Sequence, residues 1–273
     1  MTMQETGNDT ARQPRMTLRI SNHSMAFAMA DSLAVKGVAF EPYTAKSGIS
    51  TAANLREALR SSALLGRECA RAQVLIDAPT LLVPIEEYDE ATADAFYRYT
   101  LVTPATNVVM SSVVPTLNSV ALFGVNRDLR QVIDDRYADV RYMPVEQPVW
   151  SYLHRRSFSD TCHRLYAYFH DERVSVFAFD KNRFRYCNAF DVNHVNDCVY
   201  FILYVWRQLQ LDADRDELYL AGNLPERDEL VGLLRRYLRK CYTVNPAAEF
   251  NRAPITEIKG MALDMVTLFL KGR

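Results

Sequence analysis

The sequence predicts an α/β protein in which one architecture occurs twice. Two observations carry this. The order strand–strand–strand–helix–strand–helix runs through residues 16–100 and begins again near residue 163. The matching turns and strands of the two runs lie about 145–150 residues apart, as a duplication requires. The chain has 273 residues, enough for two units of ordinary domain size. They are expected at 16–158 and 159–273, after a polar mobile tail over residues 1–15.

The elements follow from local pattern. "MTLRIS" and "SMAFAMA" read as strands joined at Asn22-His23, and "GVAFEPY" as a third after Lys36-Gly37. In "STAANLREALRSSALLG", Ala52, Leu55, Leu59 and Ala63 recur at helical spacing, between a Ser50 or Thr51 cap and Gly66. "AQVLIDAP" is a buried strand. "TLLVP" leads into a helix over "EEYDEATADAFYRY", whose early carboxylates suit a helix start. "VVMSSVV" and "SVALFGV" form a strand pair, and a helix at "RDLRQVIDD", a strand at "DVRYMP" and a helix at "PVWSYLHRRS" complete the first unit.

The second unit opens with "HRLYAYF" and "RVSVFAF" around His170-Asp171-Glu172, then "RFRYCNAF". The apolar run "CVYFILYVW" is too short to span a membrane, which takes about 20 residues, and reads as a helix buried all round. The strand "ELYLAG" precedes a helix over "PERDELVGLLRRYLRK", with Pro225 in its first turn and Arg235, Arg236, Arg239 and Lys240 in its last. A closing helix covers "TEIKGMALDMVTLFLKG".

Composition narrows the function classes. Net charge is −1, so no global field recruits nucleic acid or an acidic membrane. Five scattered cysteines without a C-x-x-C pair fit reduced thiols and a cytoplasmic location. The Walker phosphate loop, the dinucleotide fingerprint and the serine-hydrolase elbow are all missing. "DADRD" at 212–216 starts like a calcium loop, but Glu217 and Asn223 stand where glycine and the bidentate glutamate belong. It reads as a solvated loop. The histidines have no zinc-protease spacing, and His194 with Cys198 offers too few ligands for a metal. The basic run at 235–240 is too narrow for a nucleic-acid stripe.

On "LRISNHSMAF", "STAANLREAL" and "DVNHVNDCVYFILYVWRQLQLDADRDELYLAG", the chain resembles an uncharacterised bacterial family, a domain of unknown function with the actin-like ATPase fold. The resemblance covers nearly all of the chain after residue 15. It implies two ribonuclease H-like halves, each with a mixed sheet flanked by helices, and ATP or another nucleotide as the ligand held between them. In such proteins two hairpin turns clasp the phosphates, typically through Asp-x-Gly. Glycine lets the backbone approach the phosphate, and the carboxylate organises Mg²⁺. A later strand–glycine–helix junction packs on adenosine.

The resemblance places a nucleotide cleft at Asn22, His23, Asp171, Arg173, Gly222 and Asn223. The first turn, Ser21-Asn22-His23-Ser24, has neither aspartate nor glycine. The second keeps Asp171 without glycine, and the junction keeps Gly222. These departures favour a degenerate, non-catalytic protein with no catalytic residue and no metal site. It would act as a scaffold or assembly partner for another protein, with residual nucleotide binding. The rival is an active ATPase or phosphotransferase with Asp171 on the metal and Asp77 or Glu86 orienting the nucleophile. Helix-start acidity is the plainer account of Glu86 and Glu87. A purely structural module with a closed cleft is a third possibility.

Overall fold

The computed structural model describes residues 14–157 and 162–271. The expected tail lies mostly outside these residues, and so does the expected boundary at 158/159. Five strands build the first sheet: β1 (Met16–Ile20), β2 (Ser24–Ala30), β3 (Val38–Thr44), β4 (Arg71–Ile76) and β8 (Asp139–Pro144), in the order β3-β2-β1-β4-β8. The second sheet holds β9 (Arg164–His170), β10 (Arg173–Asp180), β11 (Arg183–Asp191), β12 (Glu217–Gly222) and β13 (Cys241–Thr243). Its order is β11-β10-β9-β12-β13, the same topology repeated. In both, the first strand pairs antiparallel with the second and parallel with the fourth.

Helices α1 (Thr51–Ser61) and α3 (Arg127–Arg136) cover one face of the first sheet. Leu55, Leu129 and Ile133 meet Leu18, Phe27 and Val74 there. Helices α5 (Val195–Gln208) and α6 (Arg227–Leu234) do the same for the second, with Ile202, Leu230 and Leu234 on Leu165, Val176 and Leu218. The other faces are covered by exchange. Helix α4 (Glu146–Arg156), which follows β8, packs Val149, Trp150 and Leu153 on Tyr166, Tyr168 and Phe177 of the second sheet. Helix α8 (Leu263–Lys271) packs Met265 and Val266 on Ala26, Ala28 and Leu75 of the first. Both faces of β9 are therefore apolar or aromatic, because a central strand is covered on both sides. By contrast, β1 turns Met16, Leu18 and Ile20 to one side and the buried Thr17 and Arg19 to the other.

One segment has no counterpart in the second half. Between β4 and α3 the chain forms β5 (Thr80–Pro84), α2 (Ala93–Thr100), β6 (Asn107–Val114) and β7 (Ser119–Asn126). Its strands make a separate antiparallel sheet, β5-β7-β6. A short helix α7 (Pro246–Glu249) precedes α8.

Several expected elements shift. Helix α2 starts at Ala93 rather than at Glu86, because the Asp89 carboxylate accepts hydrogen bonds from the Ala91 N–H and the Thr92 hydroxyl and holds a turn first. Helix α6 starts after Pro225, since Glu226 adopts a left-handed φ of 37°. Past Leu234 the chain tightens into i→i+3 turns at Arg236 and Tyr237, so Arg239 and Lys240 lie beyond the helix. The closing helix is shorter than expected, with a separate 3₁₀ turn at Pro254–Glu257. Helix α5 is not buried all round: Tyr200 and Tyr204 stack on each other at the surface, 63% and 52% exposed. No described helix is long and apolar enough to cross a membrane.

Trp150 tests the exchange. Its ring is buried edge-on against Phe177 and Phe184 of the other half. Trp150→Ala is expected to cost about 3–5 kcal/mol in urea unfolding monitored by circular dichroism, as large-to-small core changes do.

Candidate functional site

The two hairpin turns meet between the sheets, and each is built without glycine. In the first, the Ser21 hydroxyl oxygen accepts the N–H groups of His23 (3.3 Å) and Ser24 (3.0 Å), while the Ser21 N–H donates to the Ser24 carbonyl. A serine side chain thereby replaces one backbone partner of a tight turn. In the second, Asp171 and Glu172 take φ of 41° and 61°, the left-handed pair that a two-residue hairpin demands. The geometry expected of glycine is therefore kept by two acidic residues.

The turns bond to each other directly. Asp171 Oδ1 accepts from the hydroxyls of Ser21 (3.0 Å) and Ser24 (3.1 Å). Asp171 Oδ2 accepts from Arg19 Nη2 at 2.5 Å. Side chains alternate along a strand, so Arg19 and Thr17 face away from the Leu18 and Ile20 core, toward α8. There Arg19 Nε donates to Asp264 Oδ2 at 2.8 Å, and the Tyr168 hydroxyl donates to the same oxygen at 2.9 Å. The Arg19 side chain is 7% exposed and that of Asp264 is fully buried. Burial opposes the Arg19 charge, but Asp264, Tyr168 and Asp171 hold the guanidinium well above its ordinary pKa. Asp171 is likewise desolvated, yet Arg19 keeps its carboxyl below the usual range.

A second cluster adjoins the first. His170 is buried, with Nδ1 3.6 Å from Asp77 Oδ1 and Nε2 3.6 Å from Glu146 Oε1. The Ser175 hydroxyl bridges the gap to Glu146, 3.1 Å from His170 Nε2 and donating to Glu146 Oε1 at 3.1 Å. Arg173 Nη1 lies 3.3 Å from Asp77 Oδ1, and its Nε is 3.0 Å from Asp191. Burial works against a charged imidazole, but Glu146 and then Asp77 outweigh it and raise the His170 pKa. Glu146 is desolvated too, and His170 brings its pKa below the ordinary value. Asp77 goes the other way: desolvation raises it more than His170 lowers it.

Asp77, His170 and Asp171 offer ligand atoms within 4.8 Å of one another, the spacing of a metal site. The residues do not fit a divalent cation. Asp171 already takes Arg19 and two hydroxyls, Asp77 faces Arg173, and the imidazole is held toward its protonated form. A metal there would stand among cations.

The six residues expected to line a nucleotide cleft separate into groups. Asp171 and Arg173 enter the ion-pair clusters. Asn22 borders a cavity of about 400 Å³ between the first turn, the starts of α1 and α3, and β7. His23 is exposed, 3.8 Å from Glu172. Gly222, at φ +90°, is pressed on β9: a Cβ there would lie 2.2 Å from the Phe169 carbonyl oxygen and 2.8 Å from the Tyr168 ring. The Asn223 N–H donates to the same Phe169 oxygen. This junction is a strand-packing device that seats Tyr168 against Asp264. Asp77 joins the His170 cluster, whereas Glu86 makes a surface pair with Arg183. "DADRD" is a turn whose carboxylates accept backbone N–H groups: Asp216 takes His163 and Asp212, and Asp212 takes Asp214 and Arg215. Asp197 accepts the N–H of His194 and closes the start of α5. Arg19, Glu146, Tyr168 and Asp264 escaped the sequence reading. For Arg19 and Asp264 the signal was a charge inside an apolar run, "TLRI" and "ALDMV".

Two sheets of one topology, exchanged covering helices and hairpin turns meeting between them define a protein of the actin-like ATPase fold. The chain belongs to the family described as protein of unknown function DUF3822, whose profile matches residues 4–241. It is similar to a Bacteroides thetaiotaomicron protein with actin-like ATPase fold and unknown function. That likeness has 20% identity and a TM-score of 0.79, and covers 92% of this chain and 99% of that one. A chain of the PilM–PilN type IV pilus biogenesis complex aligns with 14% identity and a TM-score of 0.54, over 87% of this chain and 90% of that one. No curated protein matches in sequence.

Two expectations follow from the clusters. Arg19→Met strands two buried carboxylates and is expected to cost about 3–5 kcal/mol in urea unfolding. Arg19→Met with Asp264→Leu recovers at least half of that loss, because the fully buried one of the two stranded carboxylates is removed. For pH, the raised His170 contributes stability that is complete below the ordinary histidine pKa of 6.5 and is lost as pH rises through its folded value. Asp171 and Glu146 contribute above ordinary carboxylate values and fail as pH falls through their lowered ones. The urea midpoint of the protein is therefore expected to drop between pH 6 and pH 8.5 by more than that of His170→Gln.

Proposed function

We propose that this protein acts by binding and not by turnover: a degenerate actin-like protein of the bacterial cytoplasm that serves as a scaffold or assembly partner. One observation carries the reading. Arg19 occupies the meeting point of the two turns, paired with Asp171 and Asp264. A phosphate held there would have to break both pairs and leave Asp264 buried without a cation, a loss of several kcal/mol. The turn hydroxyls of Ser21 and Ser24, which could have faced a ligand, bond to Asp171 instead. Residual nucleotide affinity would reside in the cavity beside Asn22, which Thr51, Asn107 and Asn126 also line.

Phosphate release and thermal shift test this together. With 1 mM ATP and Mg²⁺, no turnover above buffer is expected. The melting temperature should rise by no more than about 2 °C, well short of the about 5–10 °C that a ligand at a hundred times its Kd would give. Steady Mg²⁺-dependent hydrolysis, abolished by Asp171→Ala, would overturn the proposal and favour an ATPase with atypical phosphate turns.

A further inference from the structure

The duplication separates what the fold needs from what it does not. Every element of the common core occurs twice, so the segment from β5 to β7 is an addition to the first half alone. In the second half the chain passes from Gly222 to Arg227 with no inserted element.

The three-stranded sheet buries one face on the body, where Ala121 and Phe123 join the neighbouring cores. Its other face carries Leu81, Val83, Val120 and Leu122, with α2 laid across it. Helix α2 has eight residues, about 12 Å of rise, and covers only part of that face. Tyr97 is the fully buried residue of α2, with Ala93 packed beside it; its hydroxyl donates to the Pro79 carbonyl and accepts the Gly124 N–H. Beside it a cavity of about 590 Å³ opens, floored by Val83 and Leu122 and walled by Tyr88, Phe96 and Tyr99. That volume lies within the about 300–1,000 Å³ of ordinary binding pockets. Phe96 is 49% exposed and Tyr99 92%, large aromatic areas left in water.

The rim has one sign of charge. Residues 86–94 carry Glu86, Glu87, Asp89, Glu90 and Asp94, and no cation. Arg183 and Arg98 pair with Glu86 and Asp94. Glu87 and Asp89 border the cavity and Glu90 is exposed beside them, with no ion pair to a described residue. Carboxylates around an aromatic-walled groove select a cationic partner and reject an acidic one.

We infer that this groove is the docking site for a short basic segment of a partner protein, with apolar side chains seated between α2 and the β5–β7 face and flanking Lys or Arg on the Glu87–Glu90 rim. The inference rests on the reading of the protein as one that acts by binding, and it names where and by what chemistry.

Fluorescence anisotropy with labelled dodecapeptides tests it. Each peptide has a Leu-x-x-Trp-Leu centre flanked by Lys/Arg, by Glu/Asp or by Ser. The full chain is expected to bind the basic peptide at least tenfold more tightly than the other two. Raising NaCl from 0.05 to 0.5 M should weaken it at least fivefold, as screening shortens. Phe96→Ser with Tyr99→Ser, both at exposed positions, should lose at least tenfold without a change in melting temperature. Glu87→Lys with Glu90→Lys should transfer the preference to the acidic peptide. Equal binding of all three peptides, no binding of any, or a preference unmoved by the charge reversal would overturn the assignment. So would light scattering that shows a dimer broken by the Phe96/Tyr99 changes, since the groove would then join two copies of this chain. Phosphate release read on the same samples keeps the two proposals apart: turnover with selective peptide binding would sink only the non-catalytic reading, and loss of selectivity without turnover only the groove.

Discussion

Arg19 lies on the central strand of the first sheet, and both carboxylates that neutralise it come from the second half of the sequence. A guanidinium this far from water is costly unless its donors are met with good geometry, and so are its partners. The relative position of the two halves is therefore fixed to within the tolerance of a hydrogen bond. Tyr168 braces Asp264 from the second sheet, and the glycine at 222 exists because Tyr168 and the Phe169 carbonyl leave no room beside β12. Ser21 and Ser24 tie the first turn to Asp171, and His170 carries the network on to Asp77 and Glu146. The meeting point of the two turns is thus a junction made of the protein's own charges.

Much of this fold was legible because its signals are local. Strand alternation around Asn22 and Asp171, the Leu55 and Leu59 spacing, and the apolar runs "VLIDAP" and "LYLAG" each depend on neighbours in sequence. Helix limits at Glu86 and Pro225 were misplaced because turn geometry at Asp89 and Glu226 overrode composition. The surface position of Tyr200 and Tyr204 could not be read from "CVYFILYVW", since an aromatic residue is equally at home in a core and at an edge.

The site was less legible for a different reason. Arg19 and Asp264 are 245 residues apart, and neither has meaning without the other. Read alone, Arg19 is a charge in an apolar strand and Asp264 a charge in an apolar helix. Pairing them would have required placing α8 over β1, which no local pattern states. Missing glycines were visible and suggested erosion of the turns. The left-handed backbone at Asp171 and Glu172 shows that a tight two-residue turn forms there without glycine.

The exchange of α4 and α8 also sets an order on the ribosome. β1 and β2 emerge with their α8-facing side bare, and Ala26, Ala28 and Leu75 wait for Met265 and Val266. At synthesis rates of about 5–20 residues per second, the 245 residues between Arg19 and Asp264 take about 12–50 s to appear. Through that interval the nascent chain carries an uncovered sheet face and an arginine with no counter-ion from α8. The first sheet is therefore closed late, only once α8 has emerged to cover it.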